Sequence, residues 1–147
     1  MLCGGSLVKR AIDAGVVYTM AYGDQPSLIC ELVERIRSSG FEITCAGKGT
    51  QYLPVYHSST PETVWDYYGL SSQEAAAGGL NPKMFNSFLD GTKSAIEMAA
   101  VANATGLSVP RDGLKFPPVG TSGLAQVLKP KIKGGIIQKE GTVEVVS

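Results

Sequence analysis

The chain has little of what marks several common functions. It carries one histidine and three cysteines in 147 residues. Cys3, Cys30 and Cys45 are an odd set without CxxC spacing, so neither a disulfide framework nor a structural zinc site is expected. They read as reduced packing thiols, which points to the cytoplasm. His57 stands alone in a loop-like stretch and reads as a surface residue rather than a metal ligand. Net charge is missing too, because 13 basic residues balance 13 acidic ones. No field of one sign draws the chain to nucleic acid or to an anionic membrane. No apolar run is long enough to cross a bilayer. MLCGGSLVKR lacks the apolar stretch of a secretory signal. With 44% hydrophobic and 18% charged residues, the chain is too apolar for disorder and fits one soluble globular domain.

What is there alternates between apolar runs and glycine stops. SLVKRAIDAG has helical spacing, with Gly15 as its end. VVYTMAYG is β-branched and aromatic and predicts a buried strand. DQPSLICELVERIRSSG predicts a helix started at Asp24–Pro26, with Leu28, Ile29, Leu32, Val33 and Ile36 on its apolar face. FEITCAG predicts a second strand. Strand, helix, strand with short turns favours parallel pairing and an α/β fold, an open sheet with helices packed on it. An α+β arrangement of the same elements stays open. Trp65, Tyr67 and Tyr68, after a helix start near Thr60 and Pro61, are expected to pack rather than line a cleft. LSSQEAAAGG reads as a short helical turn.

The GKGT run at residues 47–50 looks like a phosphate loop and fails its chemistry. Such a loop needs glycine, four residues, then glycine, lysine and serine or threonine, with a helix directly after it. Here Gly49 follows Lys48, Glu42 precedes Gly47 by five places, and Pro54 and Pro61 follow in a loop-like stretch. Nucleotide-kinase chemistry is therefore not expected. Lys48 instead reads as the residue just past a strand end, where open α/β sheets bind ligands. A solvated loop lysine is the plain alternative.

NPKMFNSFLDGTKSAIEMAAVANATGL has a helix start at Asn81–Pro82 and a stop at Gly106. As one continuous helix it places Asn86, Asp90, Lys93 and Glu97 within an arc of about 60°. The rest of its surface is mostly apolar or small. Charge buried without a partner is costly, so this stripe must be paired, wet or facing a ligand. MFNSFLDG read as a strand, with a helix starting at Asp90, is the other option. KGGIIQKEGTVEVVS predicts a β-hairpin turning at Glu140–Gly141, with an open edge suited to pairing between subunits.

GDQPSLICELVERIRSSGFEITCAGKGTQYLP, together with FLDGTKSAIEMAAVANATGL, resembles the NAD(P)-dependent oxidoreductases described as homoserine-dehydrogenase-like, which include 1-deoxyxylulose-5-phosphate reductoisomerase-like members. Those proteins combine a Rossmann domain, a central catalytic and dimer-forming domain, and often a C-terminal SAF-type β domain. The resemblance implies that residues 1–22 are the end of a nucleotide-binding domain. Residues 23–147 would be the substrate, catalytic and oligomerisation domain. It also implies Lys48 as a substrate-oxygen ligand or acid. Asp90, Lys93 and Glu97 would form the polar wall of the cleft, one of them shuttling a proton. Asn86 joins that stripe as a substrate-binding residue, and Asn103 would orient substrate. Gly23 and Asp24 would approach the nicotinamide of NADP or NAD, although Asp24 serves equally as a helix cap. No G-x-G-x-x-G occurs. The cofactor is therefore expected only with a Rossmann domain supplied elsewhere, and the isolated chain is expected to be inactive. Such a chain is an expressed domain, a truncated product or one part of a split protein. A small-molecule substrate and a homo-oligomer follow from the same resemblance. The competing reading is a non-catalytic module for oligomerisation or small-ligand binding. Lys48→Ala and Glu97→Gln are expected to remove ligand binding with little loss of stability.

Overall fold

The computed structural model describes residues 4–147, so the reading of Cys3 lies outside the described residues. Helix α1 spans Gly4–Ala14 and ends where Gly15 adopts φ +64°. Helix α2 spans Gln25–Ser38. Strand β1 is Cys45–Gly49. A 3-10 turn at Pro54–Ser58 leads to α3 (Val64–Tyr68) and α4 (Ser72–Ala77). Helices α5 (Pro82–Leu89) and α6 (Thr92–Thr105) follow, then the short α7 (Leu124–Val127) and strand β2 (Thr142–Val146). The class is α/β or α+β, with seven helices among the described residues around a small open parallel sheet.

The parallel pairing expected in the sheet is present, but between other segments. β1 pairs with β2, Cys45 opposite Thr142 and Gly49 opposite Val146. The expected strand at residues 16–23 does not form; Val16 and Val17 are exposed and the segment is irregular. Its β-branched residues meet no partner strand, so propensity has nothing to act on. The expected C-terminal hairpin is not formed either. TVEVV runs beside β1 from the far end of the chain, and Ile137 makes only an isolated bridge to Pro130. β2 is consequently buried rather than an open edge.

Alternation along the two strands gives the sheet two faces. Val143 and Val145 are fully buried against Ile29 and Val33 of α2 and Met98 and Val101 of α6. Leu28, Leu32 and Ile36, assigned to the same apolar face of α2 from sequence, stay 40%, 59% and 41% exposed. The Arg37 guanidinium donates to the Thr105 carbonyl at 2.7 Å and ties the ends of α2 and α6 together. A second core joins Val64, Trp65, Ala75 and Leu89, with Tyr67 and Phe85 packed on it. The aromatic run thus packs as expected, among helices rather than on the sheet.

Gly47 is required by the close approach of the strands. A Cβ at that position would run into the Glu144 carbonyl oxygen. That is a structural reason for the first glycine of GKGT, and it has nothing to do with phosphate.

Candidate functional site

Lys48 lies inside β1, not past its end. The strand starts later than FEITCAG implied, because residues 41–43 are irregular and only Cys45–Gly49 finds β2. Lys48 shares a sheet face with Val143 and Val145, the face that meets α6. No helix starts directly after it; residues 50–53 are irregular before the 3-10 turn, unlike a phosphate loop.

The long helix is broken. α5 ends at Leu89 and α6 begins at Thr92, with Gly91 at φ +86° between them. That left-handed conformation suits glycine. MFNSFLDG is helix, not strand. Asp90 acts at the break: its Oδ1 accepts the Thr92 N–H at 2.8 Å and its Oδ2 accepts Asn86 Nδ2 at 2.9 Å. Asn86 is buried, and its Oδ1 finds no partner. The Gly91 turn packs against the Phe116 ring, which stacks on Tyr52 at 4.2 Å.

Beyond the break, α6 carries the charged centre. Lys48 Nζ donates to Glu97 Oε2. Lys93 Nζ lies 3.4 Å from Glu97 Oε1. The side chains of Lys48 and Glu97 are only 10% and 8% exposed, whereas Lys93 is 41% exposed and sits 5.0 Å from the Phe88 ring centroid. One carboxylate thus holds two ammoniums, leaving an excess of one positive charge. A cavity of about 160 Å³ opens beside them, lined by Gln25, Lys48, Thr50, Phe88, Lys93 and Ser94 with Gly49.

Five of the residues selected from sequence therefore fall into two groups. Lys48, Lys93 and Glu97 form one ion cluster; Asn86 and Asp90 form a hydrogen-bonded pair at the helix break. Asp90 makes no ion pair among the described residues. Asn103 is exposed and lines a different cavity, of about 450 Å³, together with Asp24 and residues of α1. Asp24 caps α2, its Oδ1 accepting the Gln25 N–H at 3.0 Å, and Gly23 precedes it at φ +93°. Gln25, Thr50 and Ser94 were not singled out by sequence. Polar residues beside a charged stripe have no periodic signal until the strand and helix are set together.

A scan against protein-family models matches residues 23–147 to the oxidoreductase DRL catalytic domain. The chain belongs to this oxidoreductase catalytic-domain family. A comparison with curated proteins returned no match.

Membership of an oxidoreductase family implies a redox cofactor of nicotinamide or similar kind. A dinucleotide's pyrophosphate is commonly held by free N–H groups at a helix start. The first turn of α2 offers the Asp24 carboxylate and lacks the N–H of Pro26. Asn81 accepts from the first turn of α5, and Asp90 from that of α6. Two of these three acceptors are carboxylates that repel a pyrophosphate. These helix starts do not fit that group.

Proposed function

We propose that this chain is the substrate-binding and catalytic part of an NAD(P)-dependent oxidoreductase of the homoserine-dehydrogenase-like kind, acting on a small hydroxy or carbonyl compound. The observation that carries the reading is the Lys48–Glu97–Lys93 cluster at the mouth of a small cavity. Interconverting an alcohol and a carbonyl places or removes a proton on the substrate oxygen and develops negative charge there. A buried ammonium beside that oxygen stabilises the charge and donates the proton. Glu97 fixes the Lys48 ammonium and forms an ion pair with Lys93, the more exposed of the two lysines, which would replace the proton from solvent. Ser94, Thr50 and Gln25 supply polar groups that orient the substrate. The cofactor would supply hydride. Its nucleotide would be held by a Rossmann domain elsewhere in the assembly, because the starts of α2, α5 and α6 do not suit a pyrophosphate.

The reading also includes a homo-oligomer, supported by the exposed stripe Leu28, Leu32 and Ile36 on α2. Its test is turnover by this chain combined with a Rossmann-containing partner. A panel of small hydroxy acids and hydroxy or keto phosphates is followed by nicotinamide absorbance. Turnover that needs both polypeptides supports the reading. Absorbance unchanged across the panel, with both components folded and associated, overturns it.

A further inference from the structure

The face of the sheet turned away from α2 and α6 carries a second buried charge. Thr142, Glu144 and Val146 lie on it, with Cys45, Gly47 and Gly49 of β1 beside them. Glu144 is only 4% exposed. Its Oε1 accepts the Lys115 and Val145 N–H groups, each at 2.9 Å. Its Oε2 has no hydrogen-bond partner and the residue has no ion pair among the described residues. Lys115 and Lys129 donate elsewhere. Lys115 Nζ donates to the Asp112 carbonyl at 3.1 Å, and Lys129 Nζ donates to Gln126 at 2.9 Å.

The residue is nearly enclosed and has no counter-charge, while Oε2 keeps access to the space beside it, so an ammonium entering there meets an unmatched acceptor. Glu144 lines a cavity of about 600 Å³ whose rim carries the other charged residues, Arg111, Lys115, Lys131 and Lys139 and one acid, Asp112, which accepts from Gln138, while Ile136, Ile137 and Val109 give it apolar wall. That volume admits a small organic molecule. A bare cation satisfies Glu144 and is repelled by the rim; a bare anion is drawn to the rim and repelled by Glu144. A molecule bearing both charges is complementary to both.

We propose that this cavity is a binding site for a small zwitterion, whose ammonium group donates to Glu144 Oε2 and whose acidic group faces Arg111, Lys131 and Lys139. The site lies across the sheet from the Lys48–Glu97 cluster and does not depend on the function proposed for that cluster.

The test is calorimetric titration of the chain with 4-aminobutyrate, butylamine and butyrate as probes. The wild type should bind 4-aminobutyrate at least about tenfold more tightly than either singly charged probe, since one retained charge pair is worth that factor. Glu144→Gln keeps the Oε1 acceptor for the two N–H groups and should weaken 4-aminobutyrate at least about tenfold. Lys131→Ala/Lys139→Ala, at exposed positions, should weaken 4-aminobutyrate and leave butylamine no weaker, since the rim repels it. This second variant decides the matter if Glu144→Gln fails to fold. No heat from 4-aminobutyrate with folded wild type overturns the proposal, as does equal binding by wild type and the double lysine variant.

Discussion

At Lys48 two physical terms oppose each other. Burial penalises an ammonium, and the Glu97 carboxylate compensates only while both are present. The near-complete burial of this pair changes the expectation that single substitutions leave stability intact. Lys48→Met should cost about 3 kcal/mol in urea unfolding, because it strands the Glu97 charge. Adding Glu97→Leu should recover most of that loss, and turnover should stay absent in both variants. A single variant as stable as wild type would mean that water reaches the pair. Cys45 gives a second reading at this scale. Burial, then the charge of Glu144, pushes its thiol from the ordinary 9.0 up to about 12. The fold thus favours the neutral thiol. This contribution is complete below pH 9 and is lost as pH rises from 9 towards about 12. Wild type should lose more stability than Cys45→Ala across that window, as read by the urea midpoint. Parallel pH curves would contradict it.

At the scale of elements, the decisive features are breaks and pairings. Gly91 ends one helix and starts another, which lets Asp90 bond both Asn86 and Thr92. Gly91→Ala should lower stability by about 1 kcal/mol or more, since alanine is strained at φ +86°. An unchanged melting temperature would show that the break is not fixed. The charged stripe was legible in sequence because Lys93 and Glu97 are one helical turn apart, and that turn survives the break. The starts of α2 and α5 were legible too, since Asp24, Pro26, Asn81 and Pro82 act through local chemistry. Ser71 and Glu74 form a capping box that frames α4, a local signal that the sequence reading passed over. Non-local facts were not legible. VVYTMAYG has strand composition and no partner, while TVEVV pairs across the whole domain with CAGKG. Glu144 left one overlooked sign, an acid set among valines in an otherwise buried strand. Asn103 was placed by family likeness alone, and α6 turns it away from the cluster.

For the whole molecule, a sheet of two strands separates two chemically different faces. One face holds the core and, at its edge, the Lys48–Glu97–Lys93 cluster; the other holds the trough around Glu144. Among the described residues no helix is long and apolar enough to cross a membrane. The exposed stripe on α2 suits burial in an assembly, so Leu32→Glu should reduce the sedimenting mass while leaving the melting temperature within a few degrees. An unchanged mass would place the oligomer contact elsewhere. The catalytic account rests on the amine of Lys48 reaching the reacting oxygen. Its most direct test is the single-turnover rate of the chain combined with its nucleotide domain, wild type against Lys48→Met, with substrate saturating and His57→Ala as a surface control. The account predicts a fall of about 100-fold or more for Lys48→Met and none for His57→Ala. Equal rates for wild type and a folded, substrate-bound Lys48→Met would contradict it.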